Sequence, residues 1–217
     1  MLLTLVRHGE SMGQIDAAYQ GNPDPPLSPR GILQAQATGR HLADEGITQV
    51  ICSPMQRAVA TADAIAAACD VAQIQVWPEV REGWPGPQWG LTRAELQAQY
   101  PRAVFDDGVD ESAWRVGDVD LAAYWARCEA AIDRIKTQFT PQDRVVLVAH
   151  GGSTGYLLGV LMGVDRSAPR AFALQNCSLS AVRLAPDATP EQAVNVLYPA
   201  SPVTVRCIGD TGHLLSV

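Results

Sequence analysis

The sequence predicts an α/β fold of three layers, α/β/α, with a mostly parallel central sheet. Two apolar runs, residues 2–6 and 144–149, lack polar alternation, which is typical of strands buried on both faces. Longer helical patterns separate the apolar runs, and strands that alternate with helices favour a parallel sheet flanked by helices. The 217 residues are 47% hydrophobic and 18% charged, which excludes disordered, collagen-like and coiled-coil chains.

Each element follows from a local pattern. Strands are expected at residues 2–6, 48–52, 74–77 and 144–149, with two or three further strands in the last forty residues. Helices are expected at about residues 28–44, 53–69 and 121–139, and from the Gly-rich stretch after residue 149. The first two helices should begin at Ser28-Pro29 and Ser53-Pro54, because Ser caps a helix N-terminus and Pro suits the first helical position.

The alternation of strands and helices breaks between about residues 78 and 120. This stretch is rich in Gly and Pro, contains a helix-capping signal at Thr92 and Glu95, and ends in an acidic loop. We interpret it as an insertion that caps the carboxyl-end face of the sheet. Residues 1–217 are therefore expected to form a single domain.

Charge limits the partners that this chain can bind. Sixteen basic and 23 acidic residues give a net charge of −7, which argues against nucleic acid and anionic membranes as partners. Fifteen of the basic residues are Arg, and no Gly-Lys dipeptide is present, which excludes a Walker-type phosphate loop. A phosphate site would therefore be built from Arg, whose planar fork binds phosphate through two hydrogen bonds.

The cysteines and apolar segments indicate the compartment. Five Cys is an odd number and no C-x-x-C spacing occurs, so we expect buried free thiols in a reducing environment. No apolar run reaches the roughly 18 residues of a membrane span, and no basic segment precedes the first strand. We expect a soluble, cytoplasmic protein with no membrane partner. No clustered His, Asp and Glu ligand set is visible in the sequence.

Two of the four histidines directly follow predicted buried strands. His8 follows the first strand after Arg7, and His150 follows the strand before the Gly-rich helix. Ligands of open α/β sheets bind beyond the carboxyl ends of the strands, so both imidazoles are candidates for one site. The alternative is a purely structural role, in which each imidazole forms hydrogen bonds with nearby backbone groups, and this alternative stays open. His41 is predicted to be a surface residue and His213 a structural one.

Two arginines add positive charge near the same edge of the sheet. Arg7 precedes His8, and Arg57 lies one turn into the helix expected to begin at Ser53. A concentrated cationic pocket in an acidic protein suits a phosphate or a comparable oxyanion. There, one neutral imidazole can attack a phosphoryl group, while the other, protonated, can stabilise charge on its oxygens.

Five blocks of the sequence resemble the histidine phosphatase superfamily, also called phosphoglycerate mutase-like. They occur in the family's order and at about its spacing across roughly residues 2–160, and five blocks in series are far more specific than the first alone. The blocks are LVRHGES at 5–11, DPPLSPRGILQA at 24–35, SPMQRAVATA at 53–62, VREGWPG at 80–86 and VAHGG at 148–152.

The resemblance implies a role for each matching residue. His8 would be the nucleophile that forms a phosphohistidine, and Arg7, Arg57 and His150 would complete the phosphate pocket. Glu82 would protonate the leaving oxygen and then activate water, because an alkoxide is a poor leaving group. The resemblance also implies that no metal and no cofactor are needed, in agreement with the absence of a clustered ligand set.

The match to the family departs from its pattern at two places. Gln14 stands where the family often carries an Asn that contacts the phosphoryl group, and its longer amide can still donate there. Gly151, after the second motif histidine, is counted with Gln14 among the substrate-binding residues. Residues 88–90 are Gln-Trp-Gly where the family often has Trp-Glu-Gly, which bears on substrate choice. Glu79 is an alternative to Glu82, although the spacing to the following glycines favours Glu82.

Three activities are hypotheses at this point. Hydrolysis of a small organic phosphomonoester is favoured over a phosphoglycerate mutase-type phosphoryl transfer, because the insertion carries Arg residues but is acidic between Asp106 and Glu111. A non-catalytic phospho-ligand binding protein is the third hypothesis. Aromatic residues in and beside the insertion are expected mostly in the core, with some at an apolar entrance to the site. A homodimer through an edge strand or helix is a further hypothesis.

One motif points to different chemistry. GGSTG at residues 151–155 fits the G-x-S-x-G pattern after a strand, and Asp210 and His213 follow in the order of an α/β-hydrolase triad. Ser153 would then be the nucleophile. This interpretation leaves His8 and the arginines unexplained and is disfavoured for that reason.

Overall fold

The computed structural model describes residues 1–84, 90–115, 117–118, 120–167, 172–185, 201–215 and 217. They form a mixed sheet with helices on both faces, which confirms the predicted α/β class. The strands are β1 (Leu2–Arg7), β2 (Gln49–Cys52), β3 (Ile74–Val76), β4 (Ala103–Phe105), β5 (Arg144–Ala149), β6 (Leu179–Leu184) and β7 (Val203–Asp210). Their order is β4-β3-β2-β5-β1-β6-β7; the first five are parallel, and β6 and β7 are antiparallel to their neighbours.

Helices cover both faces of the sheet. They are α1 (Met12–Ile15), α2 (Pro29–Leu42), α3 (Gln56–Ala68), α4 (Arg93–Gln99), α5 (Glu111–Arg115), α6 (Leu121–Gln138) and α7 (Gly151–Met162). α6 and α7 pack on the face that presents Leu5, and α2 and α3 pack on the face that presents Val6. Adjacent residues of β1 thus belong to opposite cores, because successive strand side chains point to opposite faces.

Strand register brings three chain segments to one edge of the sheet. Arg7 at the end of β1 pairs with Ala149 at the end of β5. The backbone N–H of His8 continues the ladder by donating to the carbonyl of Ala149 at 2.9 Å. On the other side of β5, where β2 ends, the N–H of Ser53 donates to the carbonyl of Val148 at 3.0 Å. The residues that follow β1, β5 and β2 therefore begin side by side at the carboxyl edge.

The two Ser-Pro signals have different outcomes. Ser28 caps α2 through its hydroxyl group, as predicted. The second prediction is wrong, because α3 begins at Gln56 and its N-cap is Met55. The Oγ of Ser53 instead accepts a hydrogen bond from the N–H of Met55 at 3.2 Å and bonds to His150. A contact made across the sheet edge thus replaces the cap expected from the local sequence.

The segment from 78 to 120 contributes a strand to the sheet as well as helices. β4 pairs in parallel with β3 and forms one edge of the sheet. The interpretation of this segment as an insertion did not include that strand, because three residues are too few to show a strand period. Residues 85–89, which include the motif positions Gly86, Gln88 and Trp89, lie outside the described residues.

All five cysteines are free thiols, as predicted. Cys52, Cys128 and Cys177 are buried, whereas Cys69 and Cys207 are partly exposed. Among the helices that the structure describes, none combines the length and the apolar character that crossing a membrane requires.

Candidate active site

His8 lies at the carboxyl end of β1, with 5% of its surface exposed. Its Nδ1 is 2.6 Å from the carbonyl oxygen of Gly9, so Nδ1 carries the ring proton and donates this hydrogen bond. The other ring nitrogen, Nε2, accepts a hydrogen bond from Arg57 Nε at 3.2 Å. Burial, and then the charge of Arg57, lower the pKa of His8 well below its usual range. The ring is therefore neutral, and its Nε2 lone pair faces a guanidinium group.

Arg57 and Arg7 place positive charge next to His8. The buried Arg57 donates from Nη1 to a backbone carbonyl at 3.0 Å, and the same atom is 3.4 Å from Asp24 Oδ1. Arg7 donates from Nη1 to the carbonyl of Leu174 at 2.6 Å. Both guanidinium groups are held by protein groups before a ligand binds, which reduces the reorganisation that anion binding requires.

His150 is fully buried at the N-terminus of α7. Its ring centroid is 5.0 Å from that of His8, so the two imidazoles predicted from the strand ends lie together. Its Nε2 is 2.8 Å from the Oγ of Ser53. Because Oγ already accepts from the N–H of Met55, its hydroxyl proton can be donated to Nε2. The proton of the neutral ring is then on Nδ1, which has no hydrogen-bond partner within the described part of the chain.

His150 is neutral in this structure, whereas a protonated second imidazole was expected from the sequence. Burial, followed by the charge of Arg57, lowers the pKa of His150 well below its usual range. The lowered pKa results from tertiary packing, which buries the ring and brings cationic groups near it. A neutral imidazole that carries its proton on Nδ1 remains a hydrogen-bond donor for a phosphoryl oxygen.

Glu82 lines the same cavity as His8, and its hydrogen bonds include those from the Tyr124 hydroxyl and from backbone N–H groups of the described residues. Its Oε1 accepts from the hydroxyl of Tyr124 at 2.8 Å and from the N–H groups of Gly83 and Ser153 at 3.0 and 3.1 Å. Its Oε2 accepts from the N–H of Gly152 at 3.0 Å. Burial, and then the charge of Glu82, raise the pKa of Tyr124 far above its usual range, so the phenol stays a donor. The start of α7 thus fixes the carboxyl group.

The contact between Glu82 and α7 requires glycine at position 152. A Cβ atom on Gly152 would lie 2.3 Å from Glu82 Oε1, which is far inside van der Waals contact. Gly151 lies beside Arg7, where a Cβ would be 3.4 Å from Nε. Gly152 therefore provides the space that Glu82 occupies, whereas a Cβ at Gly151 would make an ordinary van der Waals contact with Arg7.

The alternative acid, Glu79, faces a different environment. Its Oε1 pairs with Arg134 Nη1 at 3.3 Å, and the guanidinium of Arg134 stacks over the ring of Trp77 at 3.8 Å. Glu82, in contrast, lies in the cavity beside His8. The geometry supports Glu82 over Glu79 as the acid.

Gln14 lines the cavity, and its amide contacts Asn176, a residue that no sequence motif indicated. The two amides form a reciprocal pair, in which each side-chain nitrogen donates to the oxygen of the other at 3.1 Å. Asn176 also donates from Nδ2 to the carbonyl of His8 at 3.0 Å, and the N–H of Cys177 donates to the carbonyl of Arg7 at 2.9 Å. The turn before β6 thus holds the backbone of the predicted nucleophile. The contact of Gln14 with a phosphoryl group stays a prediction.

Hydrogen bonds among the described residues do not connect a Ser-Asp-His triad. Ser153 is fully buried, and its Oγ accepts from the backbone N–H of His150 at 3.1 Å. His213 Nε2 is 3.0 Å from Thr38 Oγ1, and its ring stacks on the exposed His41 at 5.0 Å. The structure therefore gives the hydrolase interpretation no support.

A cavity of about 320 Å³ opens at His8. It is lined by Arg7, Gln14, Arg57 and Glu82, which were predicted from separate motifs. His150 and Gly151 are not part of this lining; His150 lies against the ring of His8 and Gly151 lies beside Arg7. In the part of the chain that the structure describes, no three His, Cys, Asp or Glu side chains are grouped so that they could hold a metal ion.

Comparison with known proteins agrees with this arrangement, because the sequence model of the histidine phosphatase superfamily (branch 1) matches residues 3–196. The chain belongs to the histidine phosphatase superfamily. Two relatives are each named probable phosphoglycerate mutase GpmB. The relative from Yersinia pestis is 32% identical over 97% of this chain and 93% of its own length. The relative from Proteus mirabilis is 30% identical over 98% of this chain and 94% of its own length. The crystal structure of the alpha-ribazole phosphatase from Shigella flexneri shares the fold, with 24% identity and a TM-score of 0.67 over 97% of this chain and 96% of that one.

Asp24, in the second motif of this histidine phosphatase, is a buried carboxyl group beside Arg57. Its Oδ1 accepts a hydrogen bond from the N–H of Gln56 at 2.9 Å and lies 3.4 Å from Arg57 Nη1. Burial outweighs the attraction of Arg57 and raises the pKa of Asp24 to about 6. At neutral pH the ionised Asp24 therefore holds Arg57 in place, and keeping this charge buried lowers the free energy of unfolding.

The stability difference between Asp24→Asn and the wild type should depend on pH. When folding raises the pKa of a carboxyl group, its stabilising contribution is present below the unfolded pKa, about 3.9, and is lost as pH rises through the folded pKa. Urea unfolding at pH 4.5 and 7.5 should show the wild type losing about 2 kcal/mol of unfolding free energy relative to Asp24→Asn over this interval.

Two features separate this titration from other effects of the substitution. Asp24→Asn also removes the ionic partner of Arg57, which changes the unfolding free energy by a constant amount at every pH. The prediction therefore concerns only how the difference between the variant and the wild type changes with pH. Asp44→Asn removes an exposed carboxylate and is the matched control. A difference between Asp24→Asn and the wild type that stays constant from pH 4.5 to 7.5 would contradict the prediction.

Proposed function

We propose that the protein hydrolyses a small organic phosphomonoester through a phosphohistidine on His8. One observation carries the proposal: the ring of His8 is neutral, its Nδ1 proton is engaged by Gly9, and its Nε2 faces Arg57. A neutral imidazole with an unprotonated Nε2 at a cationic phosphate site can act as the nucleophile once a bound phosphoryl group replaces Arg57 as the partner of that lone pair.

In the first step, the Nε2 of His8 attacks the phosphorus atom, and the bond from phosphorus to the ester oxygen breaks. The electron pair of that bond stays on the leaving oxygen, which takes a proton from the carboxyl of Glu82. The hydrogen bond from Nδ1 to the carbonyl of Gly9 stabilises the positive charge that develops on the ring. Arg7, Arg57 and the Nδ1–H of His150 stabilise the phosphoryl oxygens.

In the second step, water replaces the alcohol. Glu82, now a carboxylate, accepts a proton from the water as its oxygen attacks phosphorus, and the N–P bond breaks with return of its electron pair to His8 Nε2. Inorganic phosphate leaves, and Glu82 again carries the proton needed for the next turnover. The cycle needs no metal and no cofactor.

Hydrolysis is favoured over mutase chemistry by the arginines of residues 78–120. A mutase must hold a second anionic group of its substrate, which would use basic residues beside the phosphoryl site. The basic residues here face protein groups: Arg81 pairs with Asp118 at 3.4 Å, Arg102 with Asp63 at 3.0 Å, Arg115 with Glu111 at 3.0 Å, and Arg93 stacks over the Phe105 ring at 5.1 Å. The mutase name of the two bacterial relatives keeps phosphoryl transfer as the second candidate.

Two measurements test the proposed function. Rapid quench with a radiolabelled phosphomonoester should trap an acid-labile, alkali-stable adduct that maps to His8. In addition, 3-phosphoglycerate with catalytic 2,3-bisphosphoglycerate should yield inorganic phosphate and little 2-phosphoglycerate. Efficient formation of 2-phosphoglycerate would favour the mutase, and binding of phosphomonoesters without any turnover would favour a non-catalytic protein.

A further inference from the structure

The cavity at His8 has two chemically different parts. Beside His8 lie the guanidinium groups of Arg7 and Arg57. The remaining described lining is mostly apolar or neutral and includes Tyr19, Gln20, Met55 and Trp84, with Glu82 as an acidic group. Trp84 is 42% exposed and lines this cavity, so an aromatic side chain is accessible to a bound ligand.

The lining cations in the described part of the chain are limited to Arg7 and Arg57. Both lie near the ring that receives the phosphoryl group, where they lower the pKa of His8. Residues 85–89, which directly follow Trp84, are Pro-Gly-Pro-Gln-Trp and contribute no cation by sequence. Of the sixteen basic residues, Arg170 alone falls outside the described ranges.

This distribution of charge bears on the group esterified to the phosphate. A carboxylate on the leaving group would lose hydration among Tyr19, Met55 and Trp84 without gaining a cationic partner, which is unfavourable. It would also approach the carboxyl of Glu82. A flat uncharged ring gains from the same surroundings, because aromatic side chains bury large areas and prefer to pack against other rings.

We propose that the substrate is the phosphate monoester of an uncharged alcohol that carries a planar ring, with Trp84 and Tyr19 as the residues that select it. The inference rests on the proposed hydrolysis at His8 and adds the chemical class of the leaving group. A cavity of about 320 Å³ accommodates a phosphate and one ring system. Phosphorylated carboxylic acids are poor substrates by the same argument.

A matched set of alkyl monoesters tests the substrate class, because their leaving oxygens are all alkoxides. The set is 2-phenylethyl phosphate with a neutral ring, propyl phosphate with neither ring nor charge, and 3-phosphoglycerate with a carboxylate. We expect kcat/KM to fall by about tenfold or more at each step in this order. Equal or higher kcat/KM for 3-phosphoglycerate than for 2-phenylethyl phosphate would overturn the proposal.

Substitutions at the cavity assign the selectivity to particular residues. Trp84→Ala should lower kcat/KM for 2-phenylethyl phosphate by about tenfold, mainly through KM, with little change for propyl phosphate, and Trp84→Phe should restore most of the loss. Gln20→Arg should raise kcat/KM for 3-phosphoglycerate by about tenfold, because it supplies the missing cation. Leu121→Ala, which removes an exposed apolar side chain outside the cavity lining, is the control. An unchanged ratio between the two neutral substrates in Trp84→Ala would overturn the assignment.

Phosphonates separate failure of the substrate class from failure of the proposed hydrolysis. They contain a carbon in place of the ester oxygen and bind without turnover. Calorimetry should show 3-phenylpropylphosphonate binding about tenfold tighter than 3-carboxypropylphosphonate. If this preference is present but no monoester is hydrolysed, the hydrolysis is wrong and the selectivity stands. If monoesters are hydrolysed and the preference is absent or reversed, the substrate class is wrong.

Discussion

His8→Ala should lower kcat/KM for phosphomonoester hydrolysis by at least about 10⁴-fold, because it removes the atom that forms the covalent intermediate. The neighbouring groups offer no substitute. His150 Nε2 is bonded to Ser53 Oγ, and the carboxyl of Glu82 is held by the start of α7. Steady-state hydrolysis of 2-phenylethyl phosphate and the phosphohistidine trap should both fall to the background.

Two controls distinguish lost chemistry from lost structure. His41→Ala removes an exposed imidazole from α2 and should retain the wild-type rate. His8→Ala opens a space beside His150, so its circular dichroism spectrum, Tm and affinity for inorganic phosphate should be measured. We expect phosphate binding to change by no more than about tenfold, because Arg7 and Arg57 keep their protein partners. Undiminished turnover in a folded His8→Ala protein would exclude His8 as the nucleophile.

The convergence of His8 and His150 could be predicted from sequence because it depends on topology alone. Both residues directly follow buried strands, and parallel strands have their carboxyl ends at one edge. The register of β1 with β5 then fixes the rings 5.0 Å apart. Arg57 could likewise be predicted near the site, because it lies one turn into the helix after β2, whereas Glu82 was predicted only from the resemblance to the family.

The supporting contacts could not be predicted, because they depend on which strands are neighbours. Ser53-Pro54 has the same local signal as Ser28-Pro29, yet only Ser28 caps a helix. The difference is that β2 lies beside β5, which brings Ser53 to the buried ring of His150. Asn176 belongs to no motif and reaches His8 only because the chain returns before β6. The neutral state of His150 likewise follows from burial, which a sequence pattern does not measure.

Glu82→Gln should lower kcat for alkyl phosphates by about 10²- to 10⁴-fold, because an alkoxide needs a proton as it leaves. p-Nitrophenyl phosphate should behave differently, since its leaving group is stable without a proton. Stopped-flow measurements should show that the burst of nitrophenol persists with this substrate while steady-state turnover falls. The reason is that the second step still requires a base to activate water. Phosphohistidine should then accumulate in Glu82→Gln, which separates the two roles of one carboxyl group.

Controls for Glu82→Gln follow from its hydrogen bonds. The amide oxygen can replace Oε1 and accept from Tyr124, but the amide nitrogen then faces the N–H of Gly152, a second donor. This mismatch should cost about 1–3 kcal/mol of stability, measured by urea unfolding, without affecting the leaving-group dependence. Glu79→Gln breaks the ion pair with Arg134 and should leave the burst and the turnover close to wild type. A uniform loss for alkyl and nitrophenyl substrates, without a burst, would indicate that Glu82 only positions α7 and that another group transfers the proton.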